Sequence, residues 1–127
     1  MKYATASRAP LPQAGMVLAK ATVRASQLLG LSGAALARTI GLSEPTVSRI
    51  IHGARPLDPQ AKEGELALLL VRVYRSLDPL VGMDDQKRLA WMNTPNKALG
   101  GVPHQLVQSA HGLVATLNYL DGMRAPA

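Results

Sequence analysis

The chain has no cysteine, no phenylalanine, a single tryptophan (Trp91) and only eight acidic residues among its 127. Without cysteine there can be no disulfide and no thiolate metal site, and a reducing cytoplasm is the simplest expected location. Without phenylalanine the core must be aliphatic, and 47% hydrophobic residues supply enough material to build one. The most apolar run, LALLLV at 66–71, falls far short of the roughly 20 residues a membrane-spanning helix needs. The N-terminal MKYATASRAPLPQAG carries no sustained apolar stretch of the signal-peptide kind. Also missing are a glycine-rich phosphate loop ending in Lys-Ser/Thr and a nucleophile elbow.

Acidic residues are scarce in one half only. Residues 1–56 hold seven basic residues (Lys2, Arg8, Lys20, Arg24, Arg38, Arg49, Arg55) against Glu44 alone, whereas residues 57–127 hold seven of each sign. The whole formal excess of +6 therefore lies in the first half, where it describes a surface that attracts phosphates.

That half contains the most informative stretch of the chain, LSGAALARTIGLSEPTVSRII from Leu31 to Ile51. Its spacing describes a helix-turn-helix: Ala37 is small enough for a close helix approach, and Gly41 can take the positive φ of a sharp turn. Leu42 is a further apolar position of the motif, and Leu36, Ile40, Val47 and Ile50 close a small core around that turn. Ser43 suits the N-cap of the second helix, with Glu44 in the first turn and Pro45 where a missing N–H costs nothing. On a 3.6-residue wheel Val47, Ile50, Ile51 and Ala54 share the inner face, while Pro45, Ser48, Arg49 and His52 point outward with Thr46 at the edge. An outward face of this kind suits a major groove, because arginine pairs bidentately with guanine and Ser, Thr or His reach base edges or phosphates. The expected DNA-binding residues are Ser43, Thr46, Ser48, Arg49 and His52, with Arg38 and Arg55 beside them. Glu44 dissents, since it repels phosphates unless it accepts from a cytosine amino group or stays at the rim.

Around this motif the chain reads as all-α. Residues 1–12 suggest a loose basic arm, and Met16, Leu18, Ala19, Val23, Ala25, Leu28 and Leu29 suit one or two helices over Gln13–Leu29, stopped at Gly30. ARPLDP at 54–59 breaks the chain, which divides it into a DNA-binding domain at 1–56 and a second helical domain at 57–127. A long amphipathic helix from about Gln60 carries Leu66, Leu69, Leu70, Val73, Tyr74 and Leu77 on one stripe, with Lys62, Glu63, Glu65, Arg72, Arg75 and Ser76 on a solvated side. After a break at Asp78–Gly82, a helix restarts with Asp84 and Asp85 in its first turn and closes at Trp91. TPNKALGGVP is a loop, Pro103 begins a short helix to about Ser109, and a last helix runs from about His111 to Met123. Trp91 beside the Gly100-Gly101 loop reads equally well as packing or as part of an interface.

No active site assembles from these parts. Asp84-Asp85 complements a helix dipole, and His104 and His111 are separated by a helix break, so neither pair forms a metal or acid–base centre on its own. No catalytic residue, metal or cofactor is expected.

The segments ELALLLVRVYRSLDPLVG (Glu65–Gly82), AWMNTPNKALGGVP (Ala90–Pro103), QSAHGLV (Gln108–Val114) and YLDGMR (Tyr119–Arg124), in this order, resemble the toxin-binding domain of Xre-type antitoxins of the Xre/MbcA/ParS group. The resemblance implies the antitoxin half of a bacterial type II toxin–antitoxin pair that blocks its toxin by direct contact and represses its own operon. The GGVP and YLDGMR segments look closest to antitoxins paired with RES-domain toxins, which consume NAD. Leu99, Gly100, Gly101, Tyr119, Leu120, Asp121 and Arg124 match family segments and are the toxin-binding residues it implies. Implied partners are the toxin, in a hetero-oligomer, and operator DNA. One recognition helix reads only a few base pairs, so a homodimer on a palindromic or repeated site is expected. The rival reading is a stand-alone repressor whose C-terminal helices dimerise or bind an effector.

Overall fold

The computed structural model describes residues 11–125 and shows seven α-helices among them. They are α1 (Leu11–Leu28), α2 (Gly33–Ile40), α3 (Glu44–Ile51), α4 (Lys62–Leu77), α5 (Asp85–Asn93), α6 (Pro103–Leu106) and α7 (Ala110–Arg124). A 3-10 turn, Asp78–Val81, links α4 to α5, and the only β-type pairing among the described residues is an isolated bridge between Asn96 and Gly101. The expected all-α architecture is what forms. The basic arm expected at residues 1–12 lies for its first ten residues outside the described part.

Helix boundaries follow local chemistry. Ser32, Ser43, Asp84 and Ser109 each accept a backbone N–H at a helix start, satisfying a donor that the helix cannot. Gly41 sits at φ +75° and ends α2, with the N–H groups of Gly41 and Leu42 both donating to the Ala37 carbonyl. Gly53, at φ +79°, follows α3 as the stop the sequence offers, and the helix ends at Ile51, three residues short of the Ala54 that the wheel placed on the inner face. Ala54 consequently lies beyond the helix and is exposed, and Ile51 is 37% exposed, so the inner face of α3 is Val47 and Ile50. At the other end of the chain α5 continues past Trp91 to Asn93, with Trp91 half-buried against the core.

Helix α4 is the hub of the fold. It packs against α1, α2 and α7, so its apolar surface wraps around more of the helix than one stripe. Gly64, Ala67, Leu70, Val71, Val73, Ser76 and Leu77 are all buried. Ser76, expected on the solvated side, is enclosed because α7 covers that flank. At the start of α4, Gly64 lies so close to the Asp58 carbonyl that a side chain there has no room. Gly112, in the first turn of α7, meets the Leu106 carbonyl in the same way.

A single hydrophobic cluster runs from Ala19 and Leu29 through Leu36, Ile40, Val47 and Ile50 to Leu57, Leu70, Leu77, Met92, Val107, Leu113 and Leu120. The break at 54–59 is therefore a chain turn over a continuous core, with Leu57 fully buried at its centre and its N–H donating to the Gly15 carbonyl.

A buried arginine locks the second half. Arg88 on α5 is 3% exposed; its Nη2 lies 2.8 Å from Asp78 Oδ1 and its Nη1 2.8 Å from Asp85 Oδ1. Nη1 also reaches the Leu28 carbonyl at the end of α1, and the guanidinium lies 5.6 Å from the Tyr74 ring centroid. Burial alone would lower the pKa of this group, but hydrogen bonds to Asp85 and Asp78, with their charges, outweigh it and hold Arg88 above its ordinary value. Asp84 and Asp85, which the sequence presents as equivalent dipole complements, thus divide their roles. Asp84 caps α5 through Lys87 N–H, and Asp85 pairs with Arg88.

Candidate functional site

Helices α2 and α3 form the helix-turn-helix, with Ala35, Leu36, Ala37, Ile40, Val47 and Ile50 buried between them and the rest of the core. Burial of that face leaves Ser43, Glu44, Pro45, Ser48, Arg49 and His52 exposed and Thr46 half-buried at the edge. The polar groups on the outer face are ordered along the helix. Ser43 Oγ accepts from Thr46 N–H at 3.3 Å while its hydroxyl contacts Thr46 Oγ1 at 2.9 Å, and Arg49 Nη2 donates to Thr46 Oγ1 at 3.3 Å. This chain holds the Arg49 guanidinium along the face, with its remaining donors open to solvent. His52 Nδ1 lies 2.7 Å from the Ser48 carbonyl oxygen. A carbonyl has no proton to give, so Nδ1 donates and Nε2 is left as the outward nitrogen.

Arg38 and Arg55 do not join that face in the same manner. Arg38 Nε donates to Gln108 Oε1 at 2.7 Å, and Gln108 in turn donates to the His104 carbonyl at 2.9 Å, so Arg38 sits at the seam between α2 and the α6–α7 junction. Arg55 is half-buried in the turn after α3.

The residues implied as toxin-binding fall into two clusters. In the first, Asn96 organises a tight loop: its N–H donates to the Gly101 carbonyl, its carbonyl accepts from Gly100 and Gly101, and its Oδ1 accepts from Leu99 N–H. Gly100 takes φ +75°, and a Cβ on Gly101 would press on the Leu106 side chain at 3.2 Å. The second cluster lies on the α4–α7 seam. Ser76 Oγ donates to Asp121 Oδ1 at 2.6 Å, Arg124 Nη1 donates to Ser76 Oγ at 3.0 Å, and Arg72 Nη2 lies 3.5 Å from Asp121 Oδ2. Tyr119 is half-buried. Leu120 is fully buried, which corrects its assignment to a binding surface: its side chain belongs to the core. Among the hydrogen bonds and ion pairs of the described residues, none joins the Leu99–Gly101 loop to the Tyr119–Arg124 cluster.

Sequence reasoning missed Arg72 and Ser76 as members of the second cluster. The signal was present in principle, since the two lie four apart on one face of α4, but only the packing of α7 shows that this face meets Asp121. Among the described residues no group of three or more His, Asp or Glu side chains is placed to hold a metal ion. No helix of the described chain is long and apolar enough to cross a membrane.

A helix-turn-helix with an ordered polar outer face, joined through a common core to a helical unit with its own exposed polar clusters, defines a DNA-binding regulator with a second interaction surface. Residues 9–72 match the family model of the antitoxin Xre-like helix-turn-helix domain, and residues 76–125 match that of the antitoxin Xre/MbcA/ParS C-terminal toxin-binding domain. The chain belongs to this family of antitoxins. The two matches meet inside α4, the helix that packs on both halves. No curated protein matches the chain.

Proposed function

We propose that the protein neutralises a RES-domain, NAD-consuming toxin by direct contact and represses its own operon as a DNA-bound homodimer in the cytoplasm. The observation that carries this reading is the pair of family matches on one continuous fold, with the outer face of α3 left free for DNA. Labour divides as the sequence does: residues 1–56 read DNA, and residues 57–127 meet the toxin. Arg49 is the principal base reader, supported by Ser48, Thr46 and His52, and Ser43 and Arg55 lie at the phosphates. Leu99, Gly100, Gly101, Tyr119, Asp121 and Arg124 belong to the toxin-facing side. The GGVP and YLDGMR segments support the RES-type partner. The protein itself acts by binding, with no reaction of its own.

Co-expression of the tagged full-length chain with the product of the adjacent gene tests this. The expected result is a co-purifying complex that shifts the promoter DNA, together with restored cellular NAD when the antitoxin is induced over the toxin. A chain that elutes alone and still shifts DNA supports the stand-alone repressor. A complex with a toxin that leaves NAD unchanged keeps the antitoxin and removes the RES assignment.

A further inference from the structure

We propose that Lys20 and Arg24 of α1 contact the DNA phosphate backbone and extend the DNA footprint beyond the recognition helix. This inference rests on the DNA-binding reading above and adds a second element to it. The two side chains lie one helical turn apart on the exposed face of α1, and both line a groove of about 340 Å³ between α1 and the C-terminal end of α3. His52 and Gly53 form the opposite wall, so the groove begins where the outward face of α3 ends.

Charge distribution gives this groove one sign. No carboxylate lines it, and among the ion pairs of the described residues none involves Lys20 or Arg24. Glu44, the single acid of the first 56 residues, is at the opposite end of α3, about 12 Å away along the helix axis. Two exposed cations with no ion-pair partner among the described residues, continuous with a face built to enter a major groove, meet the phosphates that border that groove. Contacts of this kind fix the orientation of the protein on the duplex and carry no sequence information.

Each neutralised phosphate contributes about 0.9 to the slope of log K against log salt. Binding of the full-length chain is measured from 50 to 200 mM salt on two duplexes, the region upstream of its reading frame and a scrambled one of equal length. The double variant Lys20→Gln/Arg24→Gln is expected to weaken both duplexes by the same factor. Its affinity should also vary about 12-fold less across that salt range than that of the unaltered chain, the change two lost phosphate contacts produce. Arg75→Gln/Lys87→Gln removes the same charge from exposed sites on α4 and α5 and is expected to leave the slope unchanged. An unaltered slope for Lys20→Gln/Arg24→Gln overturns the proposal, as do equal losses in the two double variants, which would reduce it to net charge. Failure of the unaltered chain to bind either duplex removes the DNA reading itself, and is seen before any variant is made.

Discussion

The outer face of α3 and the α4–α7 seam are both polar and both proposed to bind a partner, yet they are built on different principles. On α3 the work is divided by angle: Val47 and Ile50 are buried, and Ser48, Arg49 and His52 face solvent with their polar contacts kept within the same helix. On the seam the same side chains serve both ends. Asp121 accepts from the buried Ser76 and also faces Arg72 and Arg124 at the surface, so it holds two helices together while presenting charge outward. A helix face that contacts only itself can change its outward residues at small cost to the fold. A seam cannot, because the groups proposed to meet the toxin there are also its packing groups.

Five substitutions sharpen this contrast. The largest expected effect is at Arg88, where Arg88→Ala leaves Asp78 in a largely enclosed site without its cation and should cost about 3–5 kcal/mol in urea unfolding. A loss below about 1 kcal/mol would mean that water takes over the role of Arg88 and that the second half is not locked by it.

Next come two glycines of α7 that the sequence presents alike. Gly112→Ala should destabilise by about 1–3 kcal/mol because its Cβ runs into the Leu106 carbonyl. Gly122→Ala meets nothing within 4 Å and should stabilise the helix by up to about 1 kcal/mol. Thermal melts of the two variants shifting in the same direction would remove the close approach of α6 and α7 as the reason for Gly112.

On the DNA side, Arg49→Ala is expected to cost about 1–3 kcal/mol on the operator and little on unrelated DNA, with unfolding unchanged. Equal losses on both duplexes would demote Arg49 to a phosphate contact. Smallest of all is Arg38→Ala. It removes an exposed hydrogen bond to Gln108 and should lower stability by less than about 1 kcal/mol while operator affinity stays within twofold. A tenfold loss on the operator would return Arg38 to the DNA face.

Much of the fold was legible because it depends on local chemistry. Ser43, Pro45 and Gly41 each sit where a cap, a helix start and a left-handed turn require them, and the structure uses all three in those roles. Ala54 shows the limit even there: the wheel carried the inner face on to it, past the Gly53 that follows the end of the helix. The site on the C-terminal half was less legible. Leu120 and Asp121 are neighbours in one matching segment, and only the position of α4 separates a core leucine from a surface carboxylate.

The sequence by itself determined the helical class, the helix-turn-helix and the asymmetry of charge, because periodicity, capping and composition act over a few residues at a time. The tertiary structure alone decided that α4 is enclosed on several sides, that Arg88 is buried between Asp78 and Asp85, and that Arg38 turns to Gln108. Those outcomes depend on which helices meet, and partners such as Arg38 and Gln108, 70 positions apart, leave no local pattern to read.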